Sequence, residues 1–254
     1  MSESNFNLQQ KEFLGFLKLL NDNDLLDKVI VGGSWAEYIY AQSGLLKGFT
    51  GDLRTLDVDF LIKNLRLPNT PTSLTALAAK AGYDIMSDIL DETTKIVTPN
   101  GLEIEFLINQ MGSGSTRIMK TNLGVNAQAL RHMDITLRNS ITVNLLGMNV
   151  TVPKPEAYVI HKMVINKDRT PAKQAKDTQS IYRLAPYLNQ KVYQEVYDGL
   201  FKKEQNAVNT FIEKNGKLFE ASIDEILADA QAAAREHNQS SGKNLSRDDF
   251  DITK

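Results

Sequence analysis

Arg54-Thr55-Leu56-Asp57-Val58-Asp59-Phe60-Leu61-Ile62 is the stretch that decides how this chain folds. From Leu56 onward it is a β-strand, because acidic and apolar residues alternate with the period of two that a pleated chain imposes. Val58 and Phe60 then point into a core, and Asp57 and Asp59 project together from the opposite face. At ~4 Å and an effective dielectric of ~20, two such charges repel by about 4 kcal/mol. A cation removes that repulsion, and hard oxygen ligands suit Mg²⁺ or Mn²⁺. The plainer alternative is that both acids face water on a half-exposed strand.

Upstream, Val29-Ile30-Val31 is a short buried strand that runs through Gly32-Gly33-Ser34 into a helix carrying Trp35, Ile39 and Tyr40. Two glycines let the backbone turn sharply and approach a ligand closely. The following helix presents unpaired N–H groups and its positive dipole end, and Ser34 adds a hydroxyl; together these suit a phosphate. Downstream, Lys95-Ile96-Val97-Thr98 and Leu102 to Ile108 flank Pro99-Asn100-Gly101, a hairpin signal. On its second strand Glu103 and Glu105 share one face. If this strand lies beside that of Asp57, Glu105 becomes a third acidic group, with Glu103 in reserve. Three acids around two ions are the arrangement for in-line attack on a phosphate.

The rest of the pattern places a helix over about Leu8 to Leu20 and another opened by Thr70-Pro71 and ended near Gly82. A second hairpin spans Ile141 to Val152. Beyond Pro153 the pattern is helical: a helix begins at Pro155, a second runs from about Ala172 to Leu188, and more follows from Lys191 to about His237. The expected architecture is therefore α+β, a small mixed β-sheet core flanked by helices and followed by an all-helical part. The expected divisions are 1–152 for the core, 153–240 for the helical part and 241–254 for a polar tail.

Composition narrows the functional classes. The chain has 254 residues, 42% hydrophobic and 24% charged, so it can bury a sizeable core. With 29 Lys and Arg against 31 Asp and Glu, no whole-molecule basic field gathers nucleic acid. The absence of cysteine excludes disulfides, thiolate metal sites and cysteine nucleophiles. The N-terminus lacks the pattern of a signal peptide, no apolar run approaches the ~20 residues of a membrane span, and a cytoplasmic location is expected.

Gly33-Ser34, then Asp57-x-Asp59, then an acidic residue on a later strand resembles the DNA polymerase β-like nucleotidyltransferase superfamily. The likeness is good over about Val29 to Ile108, although Glu105 stands where Asp is commoner. A second stretch, Val152-Pro153-Lys154-Pro155-Glu156-Ala157-Tyr158-Val159-Ile160-His161-Lys162, with Arg169 and Lys173-x-x-Lys176-Asp177, is similar to poorly characterised bacterial members with a helical C-terminal part. The resemblance implies an enzyme that moves a nucleoside monophosphate from a nucleoside triphosphate to a hydroxyl, with Mg²⁺ or Mn²⁺, as two ions. Asp57, Asp59 and Glu105 would be the metal-binding and catalytic groups. Gly32, Gly33, Ser34, Lys162 and Lys176 would bind nucleotide, and Glu103, Arg54 and Asp177 are secondary candidates. The implied acceptor is RNA, a protein or a small molecule, and some relatives serve as toxin–antitoxin components. The alternative is a non-catalytic nucleotide-binding or interaction protein that retains the fold.

Other features carry less. Gly112-Ser113-Gly114-Ser115-Thr116-Arg117 lacks the Gly-Lys-Ser/Thr ending of a phosphate loop and reads as a flexible loop. His132, His161 and His237 have no metal-ligand spacing. Trp35 is expected in the core, and His161 is expected to pair locally.

Overall fold

A computed structural model describes residues 7–51, 55–87, 92–110, 112 and 118–216. The chain divides into two compact units, Met1–Ala207 and Val208–Lys254. The described residues of the second, 208–216, are helical. Arg54, the glycine-serine loop from Ser113 to Arg117, and the chain beyond Gly216 lie outside the described residues.

The first unit opens with α1 (Leu8–Asp22), whose start is fixed by a capping box between Asn7 and Gln10. Phe13, Phe16, Leu17 and Leu20 form its buried stripe. Strand β1 (Val29–Val31) then leads into α2 (Gly33–Gln42) and β2 (Asp57–Ile62). Helix α3 (Leu74–Lys80) precedes β3 (Asp84–Ser87), β4 (Thr94–Val97) and β5 (Glu103–Asn109). Strands β6 (Ile118–Lys120) and β7 (Asn126–Leu130) and helix α4 (Met133–Arg138) follow. Next come the hairpin β8 (Ser140–Leu145) and β9 (Met148–Pro153), then α5 (Pro155–Ile165), α6 (Pro171–Leu184) and α7 (Gln190–Asp198). Residues 202–207 of this unit are helical.

Among the described residues seven strands make one mixed sheet: five follow the order β1-β2-β5-β4-β3, β7 pairs with β5, and β6 pairs with β7. β2 and β5 run parallel at its centre, with Asp57 opposite Glu103 and Asp59 opposite Glu105. β4 and β7 share the far edge of β5: β4 pairs antiparallel with Glu103 to Glu105, and β7 parallel with Leu107 to Asn109. One face of β2 and β5 carries Val58, Phe60, Ile104 and Phe106, all buried; Phe60 stacks on Phe106 and meets Phe16 of α1. The other face carries the four carboxylates and then Leu61 and Leu107, which pack with Ile30 and Met133. The mixed sheet flanked by helices and the helical C-terminal portion are as the pattern predicts.

Some local expectations need correction. The third helix begins at Leu74, not at Thr70-Pro71, because the Ser73 hydroxyl accepts from the Ala76 N–H and caps it there. The β8–β9 hairpin turns at Leu146-Gly147, both with positive φ. Strands β3, β6 and β7 and helix α4 add to the predicted elements; they are short, and β3 is exposed, so their sequences lack a strong period.

Candidate active site

The site grows from the crossing of β2 with the N-terminus of α2. The Gly32 N–H donates to the Asp59 carbonyl at 2.8 Å, which pins the turn to the strand. Gly33 has φ +56°, and a Cβ there would lie 2.5 Å from Asp59 Oδ2. Only glycine satisfies both the left-handed backbone and the close carboxylate. The Asp59 side chain therefore sits against the first turn of α2, whose unpaired N–H groups favour negative charge.

Asp59 is unusual. Burial, followed by the neighbouring carboxylates of Asp57 and Glu105, pushes its carboxyl up to about 6, against the pull of Arg169 and Lys162. These influences place two acids and two cations around one carboxylate. Asp59 thus sits half-buried in a concentrated negative centre, while Asp57 beside it on the same strand face is exposed.

Lys95 on β4 lies directly across from Glu105. Its Nζ is 2.7 Å from Glu105 Oε1 and 3.0 Å from Glu103 Oε2. The hydrogen bonds it donates to Glu105 and then Glu103 raise its pKa, so the ammonium is secured. Among the described residues no group of three or more His, Asp or Glu side chains is arranged to hold a metal ion. The two aspartates nevertheless fit one. Mg²⁺ commonly takes only one or two carboxylates and completes its shell with water and substrate phosphates. The destabilised charge on Asp59 is what such an ion relieves.

The carboxylate face opens into a cavity of about 910 Å³, lined by Gly32, Gly33, Ser34, Asp57, Asp59, Glu105, Lys162, Arg169, Lys176 and Asp177 among others. The structure so brings together the candidates on the turn, both central strands, α5 and α6. Glu103 lies on the same strand face beside them. Asp177 is buried, accepts a hydrogen bond from Lys162 Nζ at 2.6 Å and forms an ion pair with Arg169, whose Nε lies 3.1 Å from Oδ2. Lys162 also lies over the Tyr158 ring, 4.9 Å from its centroid. Two cations are therefore held at the cavity by one buried acid. Lys176 is exposed.

A buried acid that sequence reasoning passed over braces the whole. Glu37, in the middle of α2, accepts hydrogen bonds from Tyr158 Oη at 2.8 Å, from Arg183 Nη2 at 2.7 Å and from Ser180 Oγ. The Tyr40 hydroxyl donates to the Pro153 carbonyl at 2.8 Å. Helix α2 is thus tied to α5, α6 and the end of β9. The one signal in the sequence was a lone acid within an otherwise buried run, Trp35 to Tyr40.

Trp35 is fully buried against Phe13, as expected. His161 lines the cavity, and its Nε2 has no hydrogen-bond partner among the described residues, so local pairing through that atom is not found. Burial, then the adjacent Lys162 and His132, pull its pKa down to about 3, which keeps the imidazole neutral. His132 bonds Glu204 through Nδ1 at 2.7 Å.

A glycine turn feeding a helix, a neighbouring strand with paired aspartates and a cation-lined cavity define a protein of the nucleotidyl-transferring class. The chain belongs to the family described as Nucleotidyltransferase, whose profile matches residues 12–205. No curated protein matches the sequence significantly. Among solved structures, an antigenic nucleotidyltransferase-like protein from Paracoccidioides brasiliensis shares 18% identity over 84% of this chain and 91% of its own, with a TM-score of 0.47. The structure of ANT(2")-Ia in complex with adenylyl-2"-tobramycin shares 13% identity over 82% of this chain and 99% of its own, also at 0.47. Among the described residues no helix is long and apolar enough to cross a membrane.

Proposed function

We propose that this nucleotidyltransferase moves a nucleoside monophosphate from a Mg²⁺- or Mn²⁺-bound nucleoside triphosphate to a hydroxyl of RNA, a protein or a small molecule. The observation that carries the reading is the Asp57–Asp59 pair set against the Gly32-Gly33 turn, with Asp59 raised to about 6 by burial and neighbouring acids. Asp57 and Asp59 hold the metal. When bound, the ion neutralises phosphate charge and lowers the pKa of the attacking hydroxyl. Gly32, Gly33 and Ser34 receive the β- and γ-phosphates on backbone N–H groups and the hydroxyl. The acceptor oxygen bonds to the α-phosphorus as the bond to the β-phosphate oxygen breaks, releasing pyrophosphate. Glu105 takes the acceptor proton, and Lys162, aided by Lys176, offsets charge that builds on the phosphates. Asp177 keeps Lys162 in place. A role as a toxin–antitoxin component rests on the family likeness alone.

The test is incubation of the purified protein with α-³²P-labelled nucleoside triphosphates, divalent cation and a cell extract freed of small molecules, beside the Asp57→Asn/Asp59→Asn variant. Label on RNA or protein that needs both aspartates identifies the acceptor class. The Lys95–Glu105 pair also fits a non-catalytic nucleotide-binding protein. That reading predicts metal-dependent triphosphate binding with no transfer to macromolecules or to small hydroxyl compounds.

Two consequences can be measured directly. Gly33→Val forces a side chain onto Asp59 Oδ2 in a left-handed backbone, and triphosphate affinity should fall at least about tenfold, since ~1.4 kcal/mol of lost contact suffices. Unchanged binding in isothermal titration would remove the loop from the site. Second, Asp59 has its pKa raised on folding, so its contribution to stability is present below its ordinary value of 3.8 and is lost as pH rises through about 6. Protons compete with metal over the same range. Mn²⁺ affinity should therefore fall as pH drops below about 6, and a flat profile from pH 7.5 to 5 would contradict the assignment.

A further inference from the structure

We infer that the Lys95 ammonium stands in place of a second metal ion, so that the site holds a single divalent cation, on Asp57 and Asp59. The inference rests on the nucleotidyltransferase reading and adds its metal stoichiometry. The strand face presents four carboxylates, Asp57, Asp59, Glu103 and Glu105, in two register pairs. Two ions in such a site lie ~3.5–4 Å apart, and beyond the paired aspartates the nearest acid on this face for a second ion is Glu105. Oε1 of Glu105 is already committed to Lys95, whose Nζ lies 2.7 Å from it and 3.0 Å from Glu103 Oε2, so Glu105 serves as proton acceptor through its other oxygen and not as a metal ligand.

That placement is set by the backbone rather than by a wandering side chain. Lys95 and Glu105 are cross-strand partners in the β4–β5 ladder. The hairpin joining them turns at Gly101, φ +84°. Glu12 of α1 clamps it, accepting from the Asn100 N–H at 3.0 Å and from the Thr98 hydroxyl. Lys95 is only 30% exposed, as is Glu105. A second ion at Glu105 would have to displace an ammonium that has two carboxylate partners, or sit against its charge. Lys95 supplies from the protein what that ion would supply: it neutralises Glu105 and holds it beside Asp59.

The test counts ions in the full-length protein by electron paramagnetic resonance. Mn²⁺ is titrated into the protein saturated with an α,β-methylene nucleoside triphosphate, which binds without reacting. One ion per chain with an uncoupled spectrum is expected. Lys95→Gln and Lys95→Met should each take up a second ion and give the broadened spectrum of a spin-coupled pair. Two coupled ions in the unaltered protein overturn the inference and leave the proposed function standing. No nucleotide-dependent Mn²⁺ binding defeats the proposed function itself. Folded Lys95 variants that still bind one ion also overturn the inference; if neither variant folds, the count in the unaltered protein decides.

Discussion

Replacing Asp59 with asparagine is expected to lower transfer by about a thousandfold or more, because metal stabilisation of a phosphoryl transition state is worth several kcal/mol. The substitution keeps size and hydrogen-bonding shape but removes the charge that the ion needs. It also removes a carboxylate whose ionised form is opposed by burial and by Asp57 and Glu105. The metal-free variant should thus melt at or above the temperature of the unaltered protein near neutral pH. Loss of activity with gain of stability is the mark of a residue kept for function rather than for the fold. A variant that unfolds would make Asp59 a structural acid. One that keeps activity within about tenfold, less than ~1.4 kcal/mol of the barrier, would take it out of the metal site. The measurement pairs initial rates of label transfer with calorimetric melting at pH 7.5.

Glu37→Ala should have the largest effect on stability, a loss of about 3 kcal/mol, because the buried hydroxyls that share this acid lose their acceptor, at about 1–3 kcal/mol for each buried group left unsatisfied. Arg183 would lose the acid at 2.7 Å, and the hydroxyls of Tyr158 and Ser180 would lose their acceptor. Glu37→Gln should cost less, since an amide oxygen can still receive the two hydroxyls. Urea unfolding of both variants measures the difference. A change below about 1 kcal/mol for alanine would mean that the network is no stronger than a surface ion pair. Because α2 also carries the glycine turn, triphosphate affinity should fall in the alanine variant under conditions where it remains folded.

The parts of this molecule that were legible in the sequence share a physical cause. Asp57-Val58-Asp59-Phe60 alternates with the strand period, and the run Phe106-Leu107-Ile108 announces a strand buried on both sides. Pro155 sets the start of α5 because proline suits the first helical turn. What escaped notice depends on neighbours distant in the chain. Lys95 reads as an ordinary strand lysine until β4 is laid against β5. Glu37 reads as one acid on a helix until α5 and α6 close over it. Strands β6 and β7 are too short for any period to register. The acids could be seen as a group, since they recur on two strands, but the cation that answers Glu105 could not.

The central register carries one more consequence. β2 and β5 present carboxylates on one face and Val58, Phe60, Ile104 and Phe106 on the other. A slip of a single residue in either strand would exchange the two sets, burying acids and exposing aromatic rings. A single-residue slip is therefore barred from any native-like core, and hydrophobic collapse itself keeps Asp57, Asp59, Glu103 and Glu105 on one shared face.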